Sequence, residues 1–180
     1  MSASAIISVA EYLKHVYEPD AEYVDGEVLE RNLGEYDHAR LQTLISRALG
    51  QFEDTHQIQV LVEQRVRVAD TATKKRYRVP DILVFCQPFR ITPVLLDPPL
   101  AVIEILSPED RMSMMLTKVA DYAQFGIKYI FVIDPAEHQL FLAEAGGLRP
   151  VPDDSVRFAT PGGEIAVDLN PLFASLHPQP

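Results

Sequence analysis

Val79-Pro80-Asp81-Ile82-Leu83-Val84-Phe85 and Leu100-Ala101-Val102-Ile103-Glu104-Ile105-Leu106 are the two stretches on which the fold turns. The second is almost wholly apolar on both alternating faces, as in a strand covered on both sides. The first reads as another strand, with a proline-rich loop between the two. Each carries one carboxylate, Asp81 or Glu104, where a core strand has little use for one.

Downstream, Ser107-Pro108 stops the second strand, and Asp110 is placed to cap a helix running to about Phe125, which Gly126 ends. Lys128–Asp134 (KYIFVID) reads as another buried strand, Asp134-Pro135 as a turn, and 139–143 as a further strand. One more short strand is expected at Glu164–Asp168, then a helical turn and a proline tail. Upstream, Ala39, Leu41, Leu44, Ile45, Ala48, Leu49 and Phe52 recur at three and four, predicting an amphipathic helix from Tyr36 to Phe52. From Val60 to Val68 the period becomes two, a strand, and the polar 74–78 stretch KKRYR reads as a turn or loop. Ser8 and Glu11 form a capping-box pattern for a short helix at Val9–Val16, and Asp25-Gly26 between two short apolar runs signals a hairpin.

This order predicts an α/β (α+β) fold with a mixed central sheet flanked by helices. A length of 180 residues favours one domain over 1–180. Within it we expect an N-terminal helix and hairpin at 8–31, a core at about 35–145 and a C-terminal extension at 146–180. The single Cys86 excludes an internal disulfide, and no apolar run approaches the roughly 18 residues of a membrane span. Without a positive segment before its first apolar stretch, the N-terminus does not read as a signal peptide, and a cytoplasmic location is expected.

The formal charge of −10 excludes a diffusely basic nucleic-acid coat. It is unevenly spread. Residues 65–90 hold seven basic against two acidic residues, a local +5, which leaves −15 elsewhere. Two readings stand: a solvated hairpin end, or a positive lip in which Lys74, Lys75, Arg76 and Arg78 grip a phosphate backbone.

A lone carboxylate in an apolar strand costs several kcal/mol unless it is paired, protonated or bound to a cation. Asp81 and Glu104 on successive strands can point into one cleft, where paired oxygen ligands suit Mg²⁺ or Mn²⁺. On the next helix Lys118 falls on the same side as Met115, Val119, Tyr122 and Ala123, facing the sheet. There it is either a lysine snorkelling to the rim or an ammonium that orients water and offsets phosphoryl charge. The five histidines show no zinc-ligand spacing, Ser107 lacks a nucleophile elbow, and no phosphate-cradling glycine motif is present.

Pro80-Asp81, Glu104-Ile-Leu-Ser-Pro, Lys118-x-x-x-Tyr122, Gly126 and Ile133-Asp134-Pro135, in this order, resemble the Uma-type putative endonuclease family. That family belongs to the PD-(D/E)XK restriction-endonuclease-like superfamily. With Asp25-Gly26-Glu27 and His38 the resemblance runs from about residue 11 to 145. It implies a restriction-endonuclease-like fold and a metal-dependent endonuclease acting on DNA, with Asp81, Glu104 and the backbone carbonyl of Ile105 as metal ligands. Lys118 would be the catalytic lysine, since the superfamily's usual lysine position is here Leu106. Glu27, His38 and Tyr122 match family positions and would be accessory. Two copies are implied for a cut through both strands. The chain departs from the family at Met114, where an acid is frequent, and at Phe131, where Trp is frequent. The alternatives are a catalytically inactive nuclease-fold module acting in binding or assembly, and an ion-dependent phosphoesterase for small substrates.

Overall fold

The computed structural model describes residues 6–18, 20–31, 35–144 and 147–177. The helices are α1 (Val9–Lys14), α2 (Tyr36–Gly50), α3 (Glu53–His56), α4 (Met112–Phe125) and α5 (Asn170–Ala174). The first strands are β1 (Ala21–Val24), β2 (Glu27–Glu30), β3 (Ile58–Val62), β4 (Val66–Asp70), β5 (Lys75–Arg78) and β6 (Ile82–Cys86). They continue with β7 (Ala101–Ile105), β8 (Tyr129–Asp134), β9 (Gln139–Glu144), β10 (Gly147–Pro150), β11 (Ser155–Thr160) and β12 (Gly163–Asp168).

A six-stranded mixed sheet ordered β10-β9-β8-β7-β6-β3 lies at the centre. Within it β7 and β8 run parallel, joined by the α4 crossover, and the other neighbouring pairs are antiparallel. A four-stranded antiparallel sheet, β2-β1-β5-β4, and the β11–β12 hairpin complete the strand pairing among the described residues. At the β1–β2 turn Asp25 and Gly26 both take positive φ, 51° and 110°, as a two-residue hairpin requires. A Cβ on Gly26 would also lie 2.8 Å from the Ile6 side chain.

Strand alternation sorts the central sheet into two cores. Ile82, Val84, Ile103, Ile105, Phe131 and Ile133 face Leu41, Ile45 and Leu49 of α2. Leu83, Phe85, Val102 and Val132 face Met115, Val119 and Tyr122 of α4. Burying each such side chain contributes about 1.5–3 kcal/mol. The expected mixed sheet flanked by helices is thus present. No helix among the described residues is long and apolar enough to cross a membrane.

Several local expectations are corrected. The single strand read at 60–68 breaks at Glu63, whose φ of 51° turns the chain so that β3 and β4 join different sheets. Of the 74–78 stretch, Lys75–Arg78 is strand β5, paired on both sides, and not a loop. Its charges escaped the strand pattern because acids from other elements neutralise them. Helix α4 has Arg111 as its N-cap residue, with no side-chain cap bond, and Asp110 accepts the Ser107 N–H instead. Ala39 and Ala123 are exposed, while His38 joins the buried stripe of α2. The C-terminal segment contributes to the core, where Val156, Phe158, Ile165 and Phe173 fill the α2 side.

Truncating Phe158 is accordingly expected to cost as much as truncating a central core residue. Urea unfolding of Phe158→Ala should show a loss of about 3–5 kcal/mol. A loss within about 0.5 kcal/mol, the surface value, would contradict this packing.

Candidate active site

The register of β6 and β7 brings the two anomalous acids together. Ile82 pairs with Ile103 in an antiparallel ladder, so one further step sets Asp81 opposite Glu104 on the same face. Both are about 2% exposed. Asp81 Oδ2 accepts the Ile105 N–H at 2.7 Å and lies 3.3 Å from His38 Nε2. Its Oδ1 accepts from Arg31 Nη2 at 2.5 Å, and its backbone carbonyl from the Gln42 amide at 3.0 Å. Glu104 Oε2 accepts from Lys118 Nζ at 3.0 Å, and Oε1 takes the Tyr122 hydroxyl. Asp81, Glu104, Ile105, His38, Arg31 and Lys118 all line one cleft of about 380 Å³.

A second ring of charge stands behind Lys118. Its Nζ also lies 3.1 Å from Glu22 Oε1, on β1. Glu22 accepts from Arg78 Nη1 at 2.6 Å and from the Val79 N–H at 3.2 Å. Arg78 in turn grips Asp121 Oδ2 through Nε at 3.1 Å and Nη2 at 2.7 Å. The four-stranded sheet therefore supplies an acid and a cation that pin α4 through its inward face.

The structure brings Asp81, Glu104, Ile105, Lys118, His38 and Tyr122 together. Glu27 is not among them: it is exposed on β2 and does not line the cleft. Lys74 and Arg76 pair with Asp121, Lys75 with Asp70, and Arg78 is 3% exposed within the Glu22–Asp121 network. Arg65, Arg67 and Arg90 pair with Asp20, Asp70 and Asp97. All seven basic residues of the 65–90 stretch are thus engaged by carboxylates, and of these only Arg78 lines the cleft. Sequence reasoning passed over Glu22, Arg31 and Arg111. Glu22 carries the same signal as Glu104, a lone acid in an apolar strand, but β1 is too short to make it stand out. Arg111 lines the cleft and has no ion pair among the described residues.

The electrostatics follow from this packing. Burial opposes it, but the hydrogen bond and charge of His38, with Arg31, hold Asp81 below the ordinary carboxylate range. His38 is raised despite burial, chiefly by Asp81. Glu104 is pushed up to about 7, first by burial, with Asp81 and Glu22 adding to the rise against Lys118 and Tyr122. Glu22 is lowered by Lys118 and Arg78 against the cost of burial.

Crowded carboxylates of this kind are those a cation relieves. A carboxylate offers roughly four acceptor positions. Asp81 Oδ1 and both Glu104 oxygens each carry one donor, so each keeps room for another partner. Among the described residues no cluster of three or more His, Cys, Asp and Glu forms a ready ligand set. Two hard carboxylates with room for water fit Mg²⁺ or Mn²⁺, which are commonly held by one or two carboxylates, and do not fit a structural zinc site.

The Glu104 shift has a stability consequence. Its pKa rises on folding from the ordinary 4.5 to about 7, so the folded chain holds that proton longer and loses stability as pH climbs between those values. With chelator present, the Tm of Glu104→Gln relative to wild type should rise steadily from about pH 5 to pH 7.5. A difference that stays flat across this range would contradict the shift.

No curated protein matches the sequence. A crystal structure of a putative nuclease belonging to DUF820, from Anabaena variabilis ATCC 29413, superposes with a TM-score of 0.79 at 21% identity. The match covers 95% of this chain and 99% of that one, and it shares the restriction-endonuclease-like fold. The sequence model of the Uma2 family, described as putative restriction endonuclease, matches residues 9–163. By that match the chain belongs to the Uma2 family.

Proposed function

We propose that this protein is a divalent-metal-dependent endonuclease that hydrolyses phosphodiester bonds of DNA. The observation that carries the reading is the convergence of Asp81, Glu104 and Lys118 on one cleft, from the start of β6, from β7 and from α4. Asp81, Glu104 and the Ile105 carbonyl would hold Mg²⁺ or Mn²⁺. When bound, the ion lowers the pKa of a water and polarises a phosphate oxygen.

The chain's own groups supply the remainder. Tyr122 holds Glu104 in place through its hydroxyl, and His38 with the Ile105 N–H fixes the Asp81 carboxylate. Lys118, stretched between Glu104 and Glu22, places an ammonium beside the reacting phosphate, where it orients water and offsets charge developing on the phosphoryl oxygens. Arg111 at the cleft wall contacts the DNA backbone without reading bases, the task first expected of residues 74–78. A cut through both strands takes two sites, and therefore two copies of the chain.

Supercoiled plasmid incubated with the protein and Mg²⁺ or Mn²⁺ should be nicked and linearised. Asp81→Asn or Glu104→Gln should abolish cutting, and Lys118→Met should lower kcat by about 10²–10³-fold. Equal cutting by all variants would overturn the assignment. The second reading, a nuclease-fold module that binds without cutting, draws on the partnering of both acids by Arg31, His38 and Lys118 and on the loss of an acid at Met114. Tight Mn²⁺ binding by a wild type that leaves DNA intact would favour it. Arg111→Ala should weaken DNA binding across unrelated sequences and reduce the salt slope by about 1.

A further inference from the structure

Arg31 sits where the proposed chemistry needs an open position. Its Nη2 lies 2.5 Å from Asp81 Oδ1, and its side chain is 16% exposed. Asp81 Oδ2 is committed to the Ile105 N–H and to His38, so Oδ1 is the oxygen with capacity for another partner. A guanidinium and a divalent ion on one carboxylate oxygen repel one another strongly in a buried cleft. The guanidinium also has a second seat. Its Nη1 lies 3.7 Å from Glu63 Oε1, on a side chain that is 52% exposed. Glu63 is about half exposed, so movement towards it carries the charge towards solvent, where a backbone phosphate can reach it.

We propose that Arg31 is an exchange ligand: it stands on Asp81 Oδ1 in the metal-free protein, yields that oxygen to the divalent ion, and then binds the substrate phosphate. This rests on the reading of Asp81 as a metal ligand. In the metal-free state Arg31 keeps Asp81 neutralised at no cost in unpaired charge. In the loaded state its planar fork suits two oxygens of one phosphate, which Lys118, held by two carboxylates, does not offer.

Calorimetric titration of the full chain with Mn²⁺, and then with deoxyadenosine monophosphate in saturating Mg²⁺, reads both halves. In Arg31→Gln, Mn²⁺ should bind about tenfold or more tightly than in wild type, because the competing cation is gone. The mononucleotide, which has no diester to cut, should bind about tenfold more weakly. These opposite signs are not produced by a residue that merely supports the fold. Mn²⁺ binding in Arg31→Gln that is unchanged or weaker, while wild type still binds, overturns the exchange and leaves the metal site standing. Absence of Mn²⁺ binding in wild type overturns the metal site itself. Side-chain NMR of arginine-labelled wild type requires no variant: the Arg31 guanidinium signals should shift as Mg²⁺ saturates the protein. Signals that stay fixed while Mg²⁺ binds contradict the proposal.

Discussion

A buried carboxylate near the end of β7 is the constraint around which this molecule is arranged. Glu104 sits among apolar residues, and an unpaired charge there is costly enough to threaten a marginally stable fold. The answer is a chain of alternating charge. Lys118 faces Glu104 and Glu22, Arg78 faces Glu22 and Asp121, and Arg76 faces Asp121 and Asp25. It runs from the central sheet through α4 and the four-stranded sheet to the β1–β2 turn. Removing one of the buried members, Glu104, Glu22, Arg78 or Asp121, leaves another uncompensated, at about 3–5 kcal/mol. Fold and site therefore depend on the same interactions.

Much of this was legible in the sequence wherever one local pattern decided the outcome. The buried strands around Asp81 and Glu104, the α2 and α4 periodicities and the Asp25-Gly26 hairpin are local signals, and each formed. Reading failed where the deciding partner was distant. The 74–78 stretch reads as a loop because five polar residues with no acid beside them look solvated, yet Asp25 and Asp121 lie about 50 residues away in sequence. The strand break at Glu63 depends on one left-handed backbone conformation that no residue type there demands. Of the C-terminal hairpin only β12 was legible, because the segment of β11 carries a short apolar run whose target is the far side of the core.

The site was legible for a different reason: acids in apolar strands violate local rules, and such violations cluster at functional positions. Asp81 and Glu104 stand out in this way, Lys118 stands out by falling on the sheet-facing side of α4, and Glu22 obeys the same logic as the acids in a strand of four residues. Charge counting along the chain misled in its detail. The +5 between residues 65 and 90 is absorbed internally, Arg78 included, so among the described residues the cleft cations outside that stretch are Arg31, Lys118 and Arg111. With a total of −10, engagement of a polyanion rests on these few residues and on the divalent ion.

The central claim is that Asp81 and Glu104, set opposite one another by the β6–β7 register, share a divalent cation. Anomalous diffraction from crystals grown with Mn²⁺ tests it directly. A manganese peak in contact with both carboxylates is expected. Crystals that hold manganese elsewhere, with no peak between Asp81 and Glu104, would contradict it.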